Sequence, residues 1–125
     1  MTALRNAQFN GGAQNHFAKG RLKSGDMNQT EAAYAETLEL QKQAGEIIWY
    51  RFEAITFKLA DDTRYTPDFL VLTAEGYLEC RECKGWWQDD AKVKIKVAAS
   101  IFPLKFVAIH KKPKKDGGGW SIVEF

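Results

Sequence analysis

Polar and apolar positions follow two different periods along this chain. In "NQTEAAYAETLELQKQAG" (28–45) they recur at helical spacing. At about 100° per residue, Tyr34, Ala35 and Leu38 share one stripe, and Glu31 lies on it with them. Asn28 suits an N-cap, Glu31 stands three residues on, and Gly45 supplies the stop. Glu36 and Glu39 fall on other sectors, where water solvates them. Alternation follows in "EAITFKL", with Ile55, Phe57 and Leu59 on one face, which predicts a half-buried strand. "ADDT" turns the chain, "PDFLVLT" is a second strand, "AEG" a hairpin turn and "YLECRECK" a third strand. On that third strand Leu78, Cys80, Glu82 and Lys84 share one face, while Glu79, Arg81 and Cys83 share the other.

The helical period returns in "QDDAKVKIKVAASIF", opened by Asp89 or Asp90 and closed ahead of Pro103. Ala91, Ile95, Ala98 and Phe102 centre its stripe, and Val93, Val97 and Ile101 widen it. Lys92 and Lys96 lie outside that stripe. Lys94 falls within the apolar sector, so it is expected to snorkel or to point into a cleft. "KFVAIH" is a fourth strand, "KKPKKDGGG" a basic loop and "WSIVEF" a terminal strand. Residues 1–27 are rich in Gly, Asn and Gln and hold no period; they predict an arm carrying Arg5, Lys19, Arg21 and Lys23. The expected domain, 28–125, is of mixed α/β class: helix, three strands, helix and strand around a central mixed sheet.

Composition narrows the class. With 45% hydrophobic and 13% aromatic residues in 125, the chain can bury one proper core and is not a disordered segment. No apolar run approaches membrane-spanning length and no signal-peptide core opens the chain, so a soluble cytoplasmic protein is expected. Cys80 and Cys83 would point to opposite faces of one strand, which argues against a bridge between them. His16 and His110 complete no zinc spacing.

The net charge of +2 conceals a division: +3 over residues 1–30, −7 over 31–90 and +6 over 91–125. An acidic middle between basic ends suits a protein that holds both a metal cation and a polyanion. A soluble surface with lysines on one helix and one loop accounts for the same distribution.

Charged side chains rarely stand on buried strands unless they are paired or hold a metal. Asp68 begins one strand, and Glu82 ends its hairpin neighbour, so the two carboxylates are brought alongside. Oxygen ligands with open water positions suit Mg²⁺, with Mn²⁺ able to replace it. Lys84, two residues from Glu82 on the same face, would hold a water or a phosphate oxygen there. These are the parts of metal-assisted phosphodiester hydrolysis. A structural ion pair at a sheet edge is the other account of the same residues.

Pro67-Asp68 followed by Glu82-Cys83-Lys84 resembles the signature of the PD-(D/E)XK, or restriction-endonuclease-like, nucleases. The predicted element order is similar to that superfamily's core. "NQTEAAYAETLELQKQAGEI", "YTPDFLV" and "ECKGWWQDDAKVKIKVAASIFP" look like small phage-encoded endonucleases of this group; the likeness covers roughly residues 28–110. It implies a divalent-metal-dependent DNA endonuclease in a bacterial host cell, acting in recombination, repair or DNA processing. Asp68, Glu82 and the Cys83 backbone carbonyl would ligate the metal, and Lys84 would assist the attacking water. An acidic residue from the first helix often joins such sites, and Glu31 is the position that fits. Its other reading is a capping-box residue bonded back to Asn28.

Junction-resolving members of similar size imply a homodimer and a preference for branched DNA, with no small-molecule cofactor and no membrane. DNA contacts are expected from Lys92, Lys94 and Lys96, from Arg21 and Lys23 in the arm, and from Lys111 and Lys112. Trp86 and Trp87 would either stack on bases or divide between core and rim. The rival class is a non-catalytic nucleic-acid-binding module on a nuclease fold, from which at least one of Asp68, Glu82 and Lys84 would be expected to be lost.

Overall fold

The computed structural model describes residues 25–84 and 89–125. Asn28 caps α1 (Gln29–Gln43) through a complete capping box, and the chain leaves the helix at Gly45 with a φ of 82°, a left-handed turn that glycine adopts without strain. Seven strands follow: β1 (Ile47–Phe52), β2 (Phe57–Ala60), β3 (Thr63–Tyr65), β4 (Phe69–Thr73), β5 (Leu78–Lys84), β6 (Lys105–Lys111) and β7 (Trp120–Glu124). A second helix, α2 (Asp89–Ile101), connects β5 to β6, and a short 3-10 turn (Lys114–Asp116) precedes β7.

Five strands make a mixed sheet in the order β1-β4-β5-β6-β7, in which only β5 and β6 run parallel. The α2 crossover makes that parallel pairing possible, as a hairpin could not. β2 and β3 form a separate two-stranded ribbon.

Each face of the sheet carries its own core. Under α1, Tyr34 and Leu38 pack with Ile47, Phe69, Val71, Cys83, Val107 and Ile109. On the opposite face Ile95 and Ala98 of α2 and Phe57 and Tyr65 of the ribbon pack on Leu70, Cys80 and Phe106. Cys80 and Cys83 are both buried, unbridged and in different cores, as the strand period predicts. Among the described residues no helix is long and apolar enough to cross a membrane.

The mixed α/β class and central mixed sheet agree with expectation; three details differ. The strand predicted at "EAITFKL" belongs to the ribbon, and the strand that flanks β4 on the side away from β5 is β1, "IIWYRF". β1 is an edge strand with a register shift between Ile47 and Trp49, so four adjacent large apolar residues stand where alternation was sought. β3, within the segment read as a turn and its exit, is only three residues long, too short to show a period.

The second helix also differs. Val93 and Ile101 are 56% and 50% exposed, and Lys94 is exposed rather than tucked into a cleft. The ribbon shares with α2 the sheet face that holds Leu70, Cys80 and Phe106, and Ile95 and Ala98 are the helix positions buried there, a narrower stripe than the one predicted.

Candidate active site

Pro67 is fully buried ahead of β4 and fixes the approach of Asp68 to the sheet. The Asp68 carbonyl accepts the Glu53 amide at 2.8 Å. Glu53 holds a left-handed conformation with a φ of 48°, a strained state for a residue with a side chain. In the antiparallel register Phe69 faces Arg81 and Leu70 faces Cys80, so the next step brings Asp68 level with Glu82. The Cys83 amide donates to Asp68 Oδ2 at 2.8 Å.

Glu82 is held by three donors. Its Oε1 accepts the Tyr65 hydroxyl at 2.8 Å and the Asp68 amide at 3.3 Å, while Oε2 pairs with Lys84 Nζ at 3.0 Å. Glu82 is buried and Lys84 is partly open to solvent, so the ammonium stands at the mouth of the cluster. Glu31 closes the group from α1. The Asn28 amide donates to its Oε1 at 2.9 Å, completing the cap, and its carboxyl lies within hydrogen-bonding reach of Asp68. The capping role is thus present, and the same side chain also faces the acidic pair.

The electrostatics follow from this crowding. Burial, then the charges of Glu82 and Glu31, push the Asp68 carboxyl up to about 9. Burial raises Glu31 as well, against the opposing pull of the Asn28 amide. Burial and the adjacent Glu82 charge raise the Tyr65 hydroxyl, which stays protonated and can only donate to that carboxylate. For Lys84, burial favours the neutral amine, but the Glu82 charge and hydrogen bond outweigh it and the net shift is upward. Three carboxyls therefore face one lysine.

A hard divalent cation fits this donor set, because it would offset the charge that otherwise keeps a proton on Asp68. Asp68, Glu82 and Glu31 could hold it. In the conformation seen, no three His, Cys, Asp or Glu side chains among the described residues are arranged as a coordination sphere; protein donors occupy most of these oxygens instead.

A buried network on the α1 face fixes the helix that carries Glu31. Arg81 donates from Nε to Glu79 Oε1 at 2.7 Å, and from Nη1 to the Tyr34 hydroxyl at 2.8 Å and to Gln41 Oε1 at 3.2 Å. Neither this network nor Tyr65 was singled out by sequence reasoning. Tyr65 stands three residues before Asp68, but on a strand too short for a pattern to show which way it faces.

Asp68, Glu82, Lys84 and Glu31 therefore converge. Lys92, Lys94 and Lys96 are exposed on α2, and Lys111 and Lys112 are exposed at the end of β6 and beyond it. Arg21, Lys23, Trp86 and Trp87 lie outside the described residues. Compared with known proteins, the chain matches no family model, no curated protein and no solved structure.

Proposed function

We propose that this protein is a divalent-metal-dependent DNA endonuclease that hydrolyses phosphodiester bonds and favours branched DNA, acting as a homodimer. One observation carries the reading: Glu31 of α1 and Asp68 at the start of β4 meet Glu82 and Lys84 of β5 at one end of the sheet, with more negative charge than a fold needs. An ion-pair explanation requires Glu82 and Lys84 alone; it leaves Asp68 and Glu31 crowded against them at a cost in stability.

Asp68 and Glu82 would hold Mg²⁺, with the Cys83 carbonyl and Glu31 as the further oxygen ligands. A bound Mg²⁺ supplies charge neutralisation of the phosphate and acidifies water. Lys84 orients the attacking water and offsets charge that develops on the phosphate oxygens. Tyr65 and the Asp68 amide fix the Glu82 rotamer, so that Oε2 remains directed at Lys84.

The test is cleavage of labelled four-way junction, flap, nicked and linear duplex DNA in Mg²⁺, Mn²⁺ or EDTA, with Lys84→Ala in parallel. Metal-dependent cutting of the branched substrates, lost in the variant, is the expected result. Binding without cutting in any metal would favour a non-catalytic module.

A further inference from the structure

The loop between β6 and β7 is the most basic exposed feature among the described residues. Lys111, Lys112, Lys114 and Lys115 are all exposed, and none has an ion-pair partner among the described residues. Lys58 pairs with Asp61, Lys84 with Glu82, and Lys105 with Glu79 and Glu124, whereas Lys42 and the α2 lysines Lys92, Lys94 and Lys96 likewise have no ion pair among the described residues. The loop differs in holding four lysines within five positions. These four like charges, offset in part by Asp116 of the same loop, repel one another.

The loop is nevertheless built. The Lys112 amide donates to the Gly119 carbonyl at 2.9 Å, and the Pro113 carbonyl accepts from Asp116 and Gly118, each at 3.0 Å. Gly117, Gly118 and Gly119 hold φ values of 94°, 66° and 78°, a left-handed run that side chains would strain. At its foot Trp120 donates from Nε1 to Thr37 Oγ1 at 3.0 Å and packs edge-on against Tyr34 at 5.1 Å. Both partners lie on α1, the helix that carries Glu31.

Topology sets the loop beside the acidic cluster. β5 and β6 run parallel with Lys84 level with His110, so the chain leaves β6 at the end of the sheet where Asp68, Glu82 and Lys84 meet. At about 4.8 Å per strand and about 3.3 Å per residue, the loop backbone lies roughly 10–15 Å from Lys84. Successive phosphates on one duplex strand rise about 3.4 Å along the axis but stand about 6–7 Å apart through space, so that span is roughly two phosphates along one strand.

We infer that Lys112, Lys114 and Lys115 form a preorganised clamp for the DNA phosphate backbone, about two nucleotides from the phosphate held at the carboxylate cluster. The position of that second phosphate rests on the proposed nuclease function; the clamp itself does not. Preorganisation lets the loop bind without first losing the conformational freedom of a mobile segment.

The experiment measures DNA binding by the intact protein in EDTA across a salt series, so that no step depends on metal or cleavage. Lys112→Ala/Lys114→Ala/Lys115→Ala is expected to flatten the slope of log affinity against log salt by about 2.7, at about 0.9 per lost phosphate contact. The triple arginine variant is expected to keep the wild-type slope, because charge rather than lysine itself carries the contact. An unchanged slope in the alanine variant would overturn the clamp even if the protein cuts DNA. A flattened slope in a protein that never cuts would retain the clamp and remove the nuclease function. Equal loss in the arginine and alanine variants would also overturn it.

Discussion

The Tyr65 hydroxyl and Lys84 ammonium grip opposite oxygens of Glu82, at 2.8 Å and 3.0 Å. Glu82 is therefore fixed from both ends rather than merely paired. Tyr65→Phe removes one buried donor and leaves the longer Asp68 amide bond at 3.3 Å to hold Oε1. A loss of about 1–2 kcal/mol in urea unfolding is expected, typical of an underbonded buried carboxylate. Metal-dependent cleavage should fall about tenfold, the cost of about 1.4 kcal/mol in transition-state stabilisation.

Asp68 should contribute to the pH dependence of stability, with Glu31, which burial also raises, acting in the same direction. The Asp68 carboxyl is raised to about 9 in the fold, against an ordinary value near 3.8. The folded protein thus retains a proton that the unfolded chain releases, and stability falls as pH rises between those values. Asp68→Asn removes the ionisation while its side-chain oxygen can still accept the Cys83 amide. The variant should unfold at higher urea than wild type at pH 8, differ little at pH 4, and cut no DNA. Urea midpoints across that range, with gel assays alongside, measure both.

Magnesium should reverse that burden. A cation bound only by the native state stabilises it by about 2.7 kcal/mol at one hundred times its dissociation constant. Binding should also displace the Asp68 proton, so apparent affinity rises with pH below about 9. Thermal melts with and without Mg²⁺ in EDTA-treated protein, plus proton release in weak buffer, measure this. Asp68→Asn should lose most of the melting shift.

Glu31 can be divided into its two roles. Glutamine also serves at the third position of a capping box, so Glu31→Gln should leave the cap near wild type, within about 0.5 kcal/mol. Its weaker oxygen donor should lower Mg²⁺ affinity. Glu31→Ala should also lose the reciprocal half of the capping box, the Asn28 amide bond, while the Asn28 side chain still accepts the residue-31 amide, at a cost of about 0.5–1 kcal/mol. Urea unfolding beside Mg²⁺ titration distinguishes the two losses.

Much of the fold was legible where one face of an element is buried and the other is wet. The α1 stripe, the β4–β5 hairpin and the terminal strand all appear where their periods place them. β1 was hidden because its register shift breaks the alternation, and β3 because three residues carry no period. The position of Lys94 depended on how wide a stripe α2 buries on a sheet face that it shares with the ribbon. Asp68, Glu82 and Lys84 stood out because charge on a buried strand needs an explanation. Tyr65 did not, since tyrosine is unremarkable in either environment.

The order in which the sheet is threaded has a consequence for the folding chain. The β4–β5 hairpin brings Asp68, Glu82 and Lys84 together locally, but Glu31 joins them only when α1 docks, and β5 gains its second neighbour only when β6 arrives a whole helix later. Contacts of such wide sequence separation form late, after the cost of closing long loops has been met. A nascent or truncated chain ending before β6 therefore lacks the support that holds β5 in register. The chemistry proposed for this cluster would switch on abruptly, with the last stage of folding, rather than grow in step with the length of the chain.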